Sequence, residues 1–347
     1  MKKLILIILL FCYMAMPVQA ADLTAPTAPD QAQDLMPPDT ESFGEGLLYV
    51  FKSAVEKLEP EIAAGCGVCL AVIAVVILTS LVGSFPGTTK NVTELAGTIA
   101  VACLLLGSAN TLVKDAAATV TELSEYGKML LPVMTTAMAA QGGISGSAAI
   151  YTGTAVFDAV LCGVISRLLV PMTYIFLAMG IASAAIGEDI LKKLRDFMKW
   201  LISWSLKIVL YVFTGYITVT GVVSGTADQA ALKATKLTIS GAVPVVGSIL
   251  SDASEAILVG AGVVKSAVGV YGLLAIAAIA IGPFLRIGVQ YLLLKLTAAI
   301  CGVFGSKKTT ELISDFSGAM GLLLAMTGTV CLMLLISMVC FMKGVSG

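Results

Sequence analysis

Two runs constrain this chain more than anything else in it. Ile62 to Val82 and Phe316 to Phe341 carry no charged side chain over 21 and 26 residues. A helix that crosses a bilayer needs about 20 apolar residues. Further runs follow the same rule: Val92 to Val113, Ile144 to Ser166, Leu168 to Gly187, Ile208 to Ala227, and Glu255 to Gly282 with Phe284 to Gly305 on either side of Pro283. None alternates apolar and polar residues, as a strand of a membrane barrel would. In lipid the backbone must satisfy its own hydrogen bonds, so uninterrupted runs point to helices. The fold class is therefore all-α: a polytopic transmembrane helical bundle spanning residues 62–347.

Composition agrees. The chain is 58% hydrophobic and 12% charged, whereas a soluble domain is about 45–50% apolar and about 25% charged. Its formal net charge is -1, and there is no long basic or acidic tail, so nucleic acid is excluded as a partner and the lipid membrane is the expected one. The sequence has no histidine, which removes His metal ligation and Ser-His-Asp chemistry together. No phosphate-binding loop, dinucleotide fingerprint or paired carboxylate motif occurs. No catalytic residue, cofactor or metal site is expected, and the chain is not read as an enzyme. The cysteines beyond Cys12 fall in apolar runs, where they behave as small soft residues, and the Cys66/Cys69 pair has no second ligand pair.

The N-terminus reads as a signal peptide over residues 1–20. Lys2 and Lys3 precede the apolar stretch Leu4 to Met16, and Val18 and Ala20 supply small residues for cleavage after Ala20. Residues 21–42, with Pro26, Pro29, Pro37 and Pro38 among polar side chains, are expected to form a flexible extracytoplasmic segment. Over 43–61, Leu47, Val50, Phe51, Ala54, Val55 and Leu58 recur at helical spacing opposite Lys52, Glu56, Lys57 and Glu59. That is an amphipathic helix lying on the membrane boundary or on a partner.

Two apolar stretches, Met129 to Ala140 and Gly241 to Ser254, are too short to span and each contains a proline; both read as half-helices. Pro132 to Pro171 and Pro244 to Pro283 are each separated by 39 residues, and a shift of 112 aligns the two regions. This suggests an internal repeat, about 92–199 and 200–315, followed by a final span over 316–341. Such repeats frame central pathways in transporters. Basic residues cluster in Glu188–Lys199 and Ser306–Asp315, and the positive-inside bias puts both in the cytoplasm. Three apparent crossings lie between them, an odd number that the sequence does not reconcile with one side.

Charges inside spans are costly and usually functional. The candidate intramembrane polar residues are Glu94, Asp158, Lys207, Lys265, Arg286 and Lys295, with Arg167 nearby. Arg167, Lys207 and Arg286 lie near span ends and read first as snorkelling side chains. Asp158 and Lys265 sit deeper, and Asp158 is expected to pair with Lys207 or Lys265.

Ser240-Gly-Ala-Val-Pro-Val-Val-Gly247, then Ser251-Asp-Ala-Ser-Glu255 and Gly262 through Gly272, resemble the stage III sporulation protein AE family of endospore-forming bacteria. The resemblance implies a multi-pass protein of the mother-cell membrane around the forespore. It implies membership of a multi-protein complex, with companions similar to secretion-system rings and a secretion ATPase, that joins a forespore partner. It also implies a channel or conduit role, with this member likened to a permease, and it carries over no defined residue set. Other stage III sporulation proteins are then the expected partners, with a second copy of the chain as a further candidate. The rival reading is a stand-alone secondary transporter or permease for a small solute, for which Asp158 and Glu94 are the available carboxylates.

Overall fold

Glu59 and Pro60 open the first long helix where an acidic first turn and an early proline are both favourable. The computed structural model describes residues 25–38, 42–85, 90–140, 144–219, 267–304 and 306–345. The elements are α1 (Asp30–Gln33), α2 (Phe43–Glu56), α3 (Glu59–Gly83), α4 (Lys90–Ala140), α5 (Ile144–Val164), a π-helical turn (Ile165–Leu169), α6 (Val170–Ile186), α7 (Asp189–Val219), α8 (Ala267–Phe304) and α9 (Lys307–Val345). No strand occurs among the described residues. Among the described residues, six stretches are long and apolar enough to cross a membrane: Glu59–Gly83, Asn91–Ala137, Ile150–Ile186, Asp189–Thr218, Val268–Phe304 and Lys307–Met342.

The expected segments are fused. The Met129–Ala140 half-helix is the end of α4, which runs unbroken through Pro132. Pro283 divides no pair of spans but lies inside α8. The basic stretches Glu188–Lys199 and Ser306–Asp315 continue directly into α7 and α9. A proline removes one N–H and crowds the carbonyl four residues back, so it bends a helix more readily than it ends one whose neighbours hold it. At Pro171 the accommodation is visible. The wide π-turn over Ile165–Leu169 makes room for the ring just before it. At 1.5 Å per residue, the 51 residues of α4 extend about 77 Å, well beyond the roughly 30 Å hydrocarbon core. The bundle is thus longer than a bilayer is thick. The expected signal peptide, Lys265, the expected Gly241–Ser254 half-helix and the signature from Ser240 to Glu255 lie outside the described residues, and with them much of the expected second repeat.

The directions of the packed helices follow from their contacts. Ser317 Oγ donates to the Tyr291 carbonyl at 3.2 Å, and Gly272 lies beside Met338, so α8 and α9 are antiparallel. Thr98 and Thr309 share a 3.1 Å hydrogen bond and Gly127 meets Leu334, so α4 and α9 are parallel. Tyr174 Oη donates to Asn110 at 2.9 Å and Ser124 meets Asp158, which sets α5–α6 as one rod against α4. Gly187 closes the turn from α6 to α7 at φ +83°, with its N–H bonded to the Ser183 carbonyl at 2.8 Å. That left-handed conformation is open to glycine without strain.

α9 is the axis. In its most apolar window 89% of residues are buried, and it packs on α4, α5, α6, α7 and α8. Phe316, Leu323, Val330, Met338 and Phe341 fill this centre. Hydroxyls inside it bond carbonyls one turn back, as Thr327 does to Leu323 and Ser337 to Met333. α2 lies on α8 through Phe43, Gly46, Val50 and Ala54. At Gly46 a Cβ would stand 2.6 Å from Leu274 Cδ1, so glycine permits the approach. The expected outward partner of this amphipathic helix is therefore the chain's own bundle, while Phe51 and Val55 remain exposed.

Lys192 and Glu311 pair at 3.0 Å, and Arg195 and Asp315 at 2.7 Å. The starts of α7 and α9 consequently stand at the same end, and the crossings between them include α7 and the undivided α8. The odd count came from splitting α8 at Pro283. In a cysteine-free background, Lys193→Cys and Lys307→Cys should react with an impermeant thiol reagent from the same side of the membrane. Reaction from opposite sides would contradict the parallel arrangement.

Candidate functional site: a charged seam between two cavities

Pro283 has no N–H to offer the Ile279 carbonyl, and one turn later α8 carries Arg286. Its guanidinium reaches two other helices. Nη2 donates to Glu61 Oε1 of α3 at 2.6 Å, and Nη1 donates to Asp115 Oδ2 of α4 at 2.9 Å. The planar fork suits two carboxylates at once, which an ammonium would not match. The three side chains are 40%, 41% and 32% exposed, so the cluster is wetted rather than sealed.

The wetting has a shape. A cavity of about 480 Å³ lies on one side, lined by Leu58, Thr119, Glu122, Gly282 and Pro283 together with the three charges. A second, of about 340 Å³, lies on the other, lined by Gly65, Ser108, Thr111 and Gln290 and again by all three. The cluster is the shared wall of both. Beyond the second cavity the seam of α3, α4 and α8 closes with buried Cys69, Val72, Val101, Leu105 and Cys301. A third cavity of about 410 Å³ opens at the Lys307 end, lined by Thr79, Ser80, Thr93, Glu94, Ser306 and Thr309. One seam thus carries hydroxyl-lined space at one end, an apolar closure, and a pair of cavities with a shared charged wall at the other.

The predicted polar residues do not converge. Arg286 has carboxylate partners where snorkelling was expected, and Glu94 lines the third cavity. Lys295 is exposed, with its ammonium 3.2 Å from Tyr291 Oη and 5.4 Å from the ring centroid. Lys207 and Arg167 are exposed on α7 and the π-turn. Asp158 is 2% exposed and is not paired with Lys207, which is exposed; Lys265, the other expected partner, lies outside the described residues. Ser124 Oγ donates to its Oδ2 at 2.5 Å, and its Oδ1 has no hydrogen-bond partner.

Sequence reading overlooked Glu61 and Asp115. Glu61 stands one residue before an expected span and Asp115 two residues after one. Their position at span ends was a signal, but pairing across 171 residues in sequence, as Asp115 and Arg286 do, is a property of the folded bundle.

Among the described residues, six helices able to span a membrane, one of them the buried axis, with ion pairs and hydroxyl-lined cavities between them, define a multi-pass membrane protein. The family model described as stage III sporulation protein AE matches residues 40–344, and the chain belongs to that family. It is 23% identical over 236 residues to the stage III sporulation protein AE of Bacillus subtilis (strain 168), a match covering 68% of this chain and 59% of that relative. No solved structure matches this chain. It is accordingly a sporulation-related membrane protein.

Proposed function

We propose that this chain is the multi-pass membrane component of a multi-protein, secretion-like channel that links mother cell and forespore during endospore formation. In this reading it sits in the mother-cell membrane, with the Lys192 and Lys307 end in the mother-cell cytoplasm, as the positive-inside bias favours. Its companions are other stage III sporulation proteins. The observation that carries the reading is the Glu61–Asp115–Arg286 cluster as the common wall of two cavities. A bundle held together by packing alone has no need of three half-exposed charges between spanning helices, whereas a polar route does. The role is non-enzymatic: positioning and passage, with no bond made or broken.

The test is co-purification. A tagged chain, crosslinked in sporulating cells and extracted with detergent, should bring down the companion proteins of the complex. Recovery of the chain alone would overturn the reading. One observation favours the alternative, a stand-alone secondary transporter: the buried Asp158 carboxylate with an unpaired oxygen, since coupled transporters use such groups to carry an ion. Asp158→Asn keeps the shape and cannot cycle a proton. The channel reading expects that variant to accumulate and still support sporulation. Normal accumulation with loss of spores would favour the transporter.

A further inference from the structure

Residues 25–38 were expected to stay free, yet they fold back onto the bundle. Ala28, Ala32 and Leu35 are buried, although the segment is otherwise polar and proline-rich. Tyr126 Oη of α4 donates to the Pro26 carbonyl at 3.3 Å, and the Ala28 N–H donates to Tyr271 Oη of α8 at 3.4 Å. Lys57 reaches Asp34 at 3.5 Å, with both side chains more than half exposed. In that seat Ala32, Asp34 and Leu35 form one wall of the larger cavity, whose other side carries Glu61, Asp115 and Arg286.

We propose that residues 25–38 are a plug, held in cis over the cavity that leads to the charged cluster, and that the plug leaves its seat when the route opens. The inference rests on the seam being a route. The seat is suited to release. Its two hydrogen bonds are near the long limit, its ion pair is open to water and salt, and its buried side chains are two alanines and one leucine, with Met36 only partly buried beside them. A permanent structural strap would bury larger side chains. The prolines at 26, 29, 37 and 38 keep the segment from joining a longer helix, so it can lift as a unit.

A cysteine reporter tests this. Thr119 lies buried in the cavity wall on α4, and Thr111 is an exposed wall residue of the neighbouring cavity. In a background with the native cysteines replaced, Thr119→Cys is labelled with a maleimide of modest size, in detergent, with the segment intact or loosened. Loosening combines Tyr126→Phe, Tyr271→Phe and Lys57→Gln. Labelling of Thr119→Cys should accelerate about tenfold or more, the factor that a loss of roughly 1.4 kcal/mol from the closed state produces, while Thr111→Cys stays constant. Unchanged Thr119→Cys labelling overturns the plug. An equal rise at Thr111→Cys overturns it too, because the whole bundle has then loosened. Labelling needs no sporulation, so the plug can stand or fall separately from the channel reading.

Discussion

Replacing Arg195 with methionine should cost the folded protein about 3–5 kcal/mol, the penalty of leaving a buried charge without its partner. The stranded group is Asp315. It is 13% exposed, as Arg195 is, and the two meet at 2.7 Å between α7 and the axis helix α9. Gly180 of α6 closes the other side, where a Cβ would stand 3.0 Å from the Asp315 carboxylate. Water therefore has little room to replace the guanidinium. Asp196, which Arg195 also binds at 3.0 Å, is exposed and loses little. Arg195→Met should lower the unfolding temperature in detergent and the amount of protein in the membrane. Adding Asp315→Leu should recover most of the loss, because a buried pair replaced by apolar side chains is often close to neutral. A double variant as unstable as the single one would show that packing, and not the stranded charge, sets the cost.

The second large effect is expected at the seam. Arg286→Glu brings a third carboxylate toward Glu61 and Asp115, which face the guanidinium at 2.6 and 2.9 Å. Each like-charge pair near 4 Å costs between about 1 and 4 kcal/mol, according to how wet it is. These side chains are one-third to two-fifths exposed, so the lower half of that range applies. The protein should still fold, but the shared wall between the cavities should part. Spore titre should fall sharply while the protein level falls modestly. Asp115→Arg in the same chain restores one opposite-charge pair and should recover spores in part. If Arg286→Glu sporulates normally, the cluster is a surface ion pair and no gate.

Much of this was legible in the sequence, for physical reasons. Charge-free runs force helices, so Ile62–Val82 lies wholly within α3 and Phe316–Phe341 within α9. What misled was punctuation. Pro132, Pro171 and Pro283 look like ends, but in a bundle the neighbours hold the helix through the lost hydrogen bond. The charged stretches before Trp200 and Phe316 look like surface helices, yet they are the first turns of α7 and α9, steadied by Lys192–Glu311 and Arg195–Asp315. The site was harder still. Arg286 stood out as a charge in an apolar run, but its partners lie on two other helices, and no local pattern encodes them. Residues 25–38 carried the composition of a free tail because their anchors are two tyrosine hydroxyls at a distance of 100 and 243 residues.

The burial of α9 has a consequence for how the protein is made. Of the helices described here, α9 is the last to leave the ribosome, and it is the one around which α4 to α8 pack. Until it arrives, Thr98 of α4 lacks Thr309, Thr154 of α5 lacks Ser337, and Arg195 lacks Asp315. Until then α4, α5 and α7 each lack a polar contact that α9 supplies. Closure around the axis is then a late event in biosynthesis, whereas the contacts of α3, α4 and α8 with one another do not need α9. A chain released before α9 is complete would reach membrane quality control with the faces of α4 to α8 that pack on α9 still open.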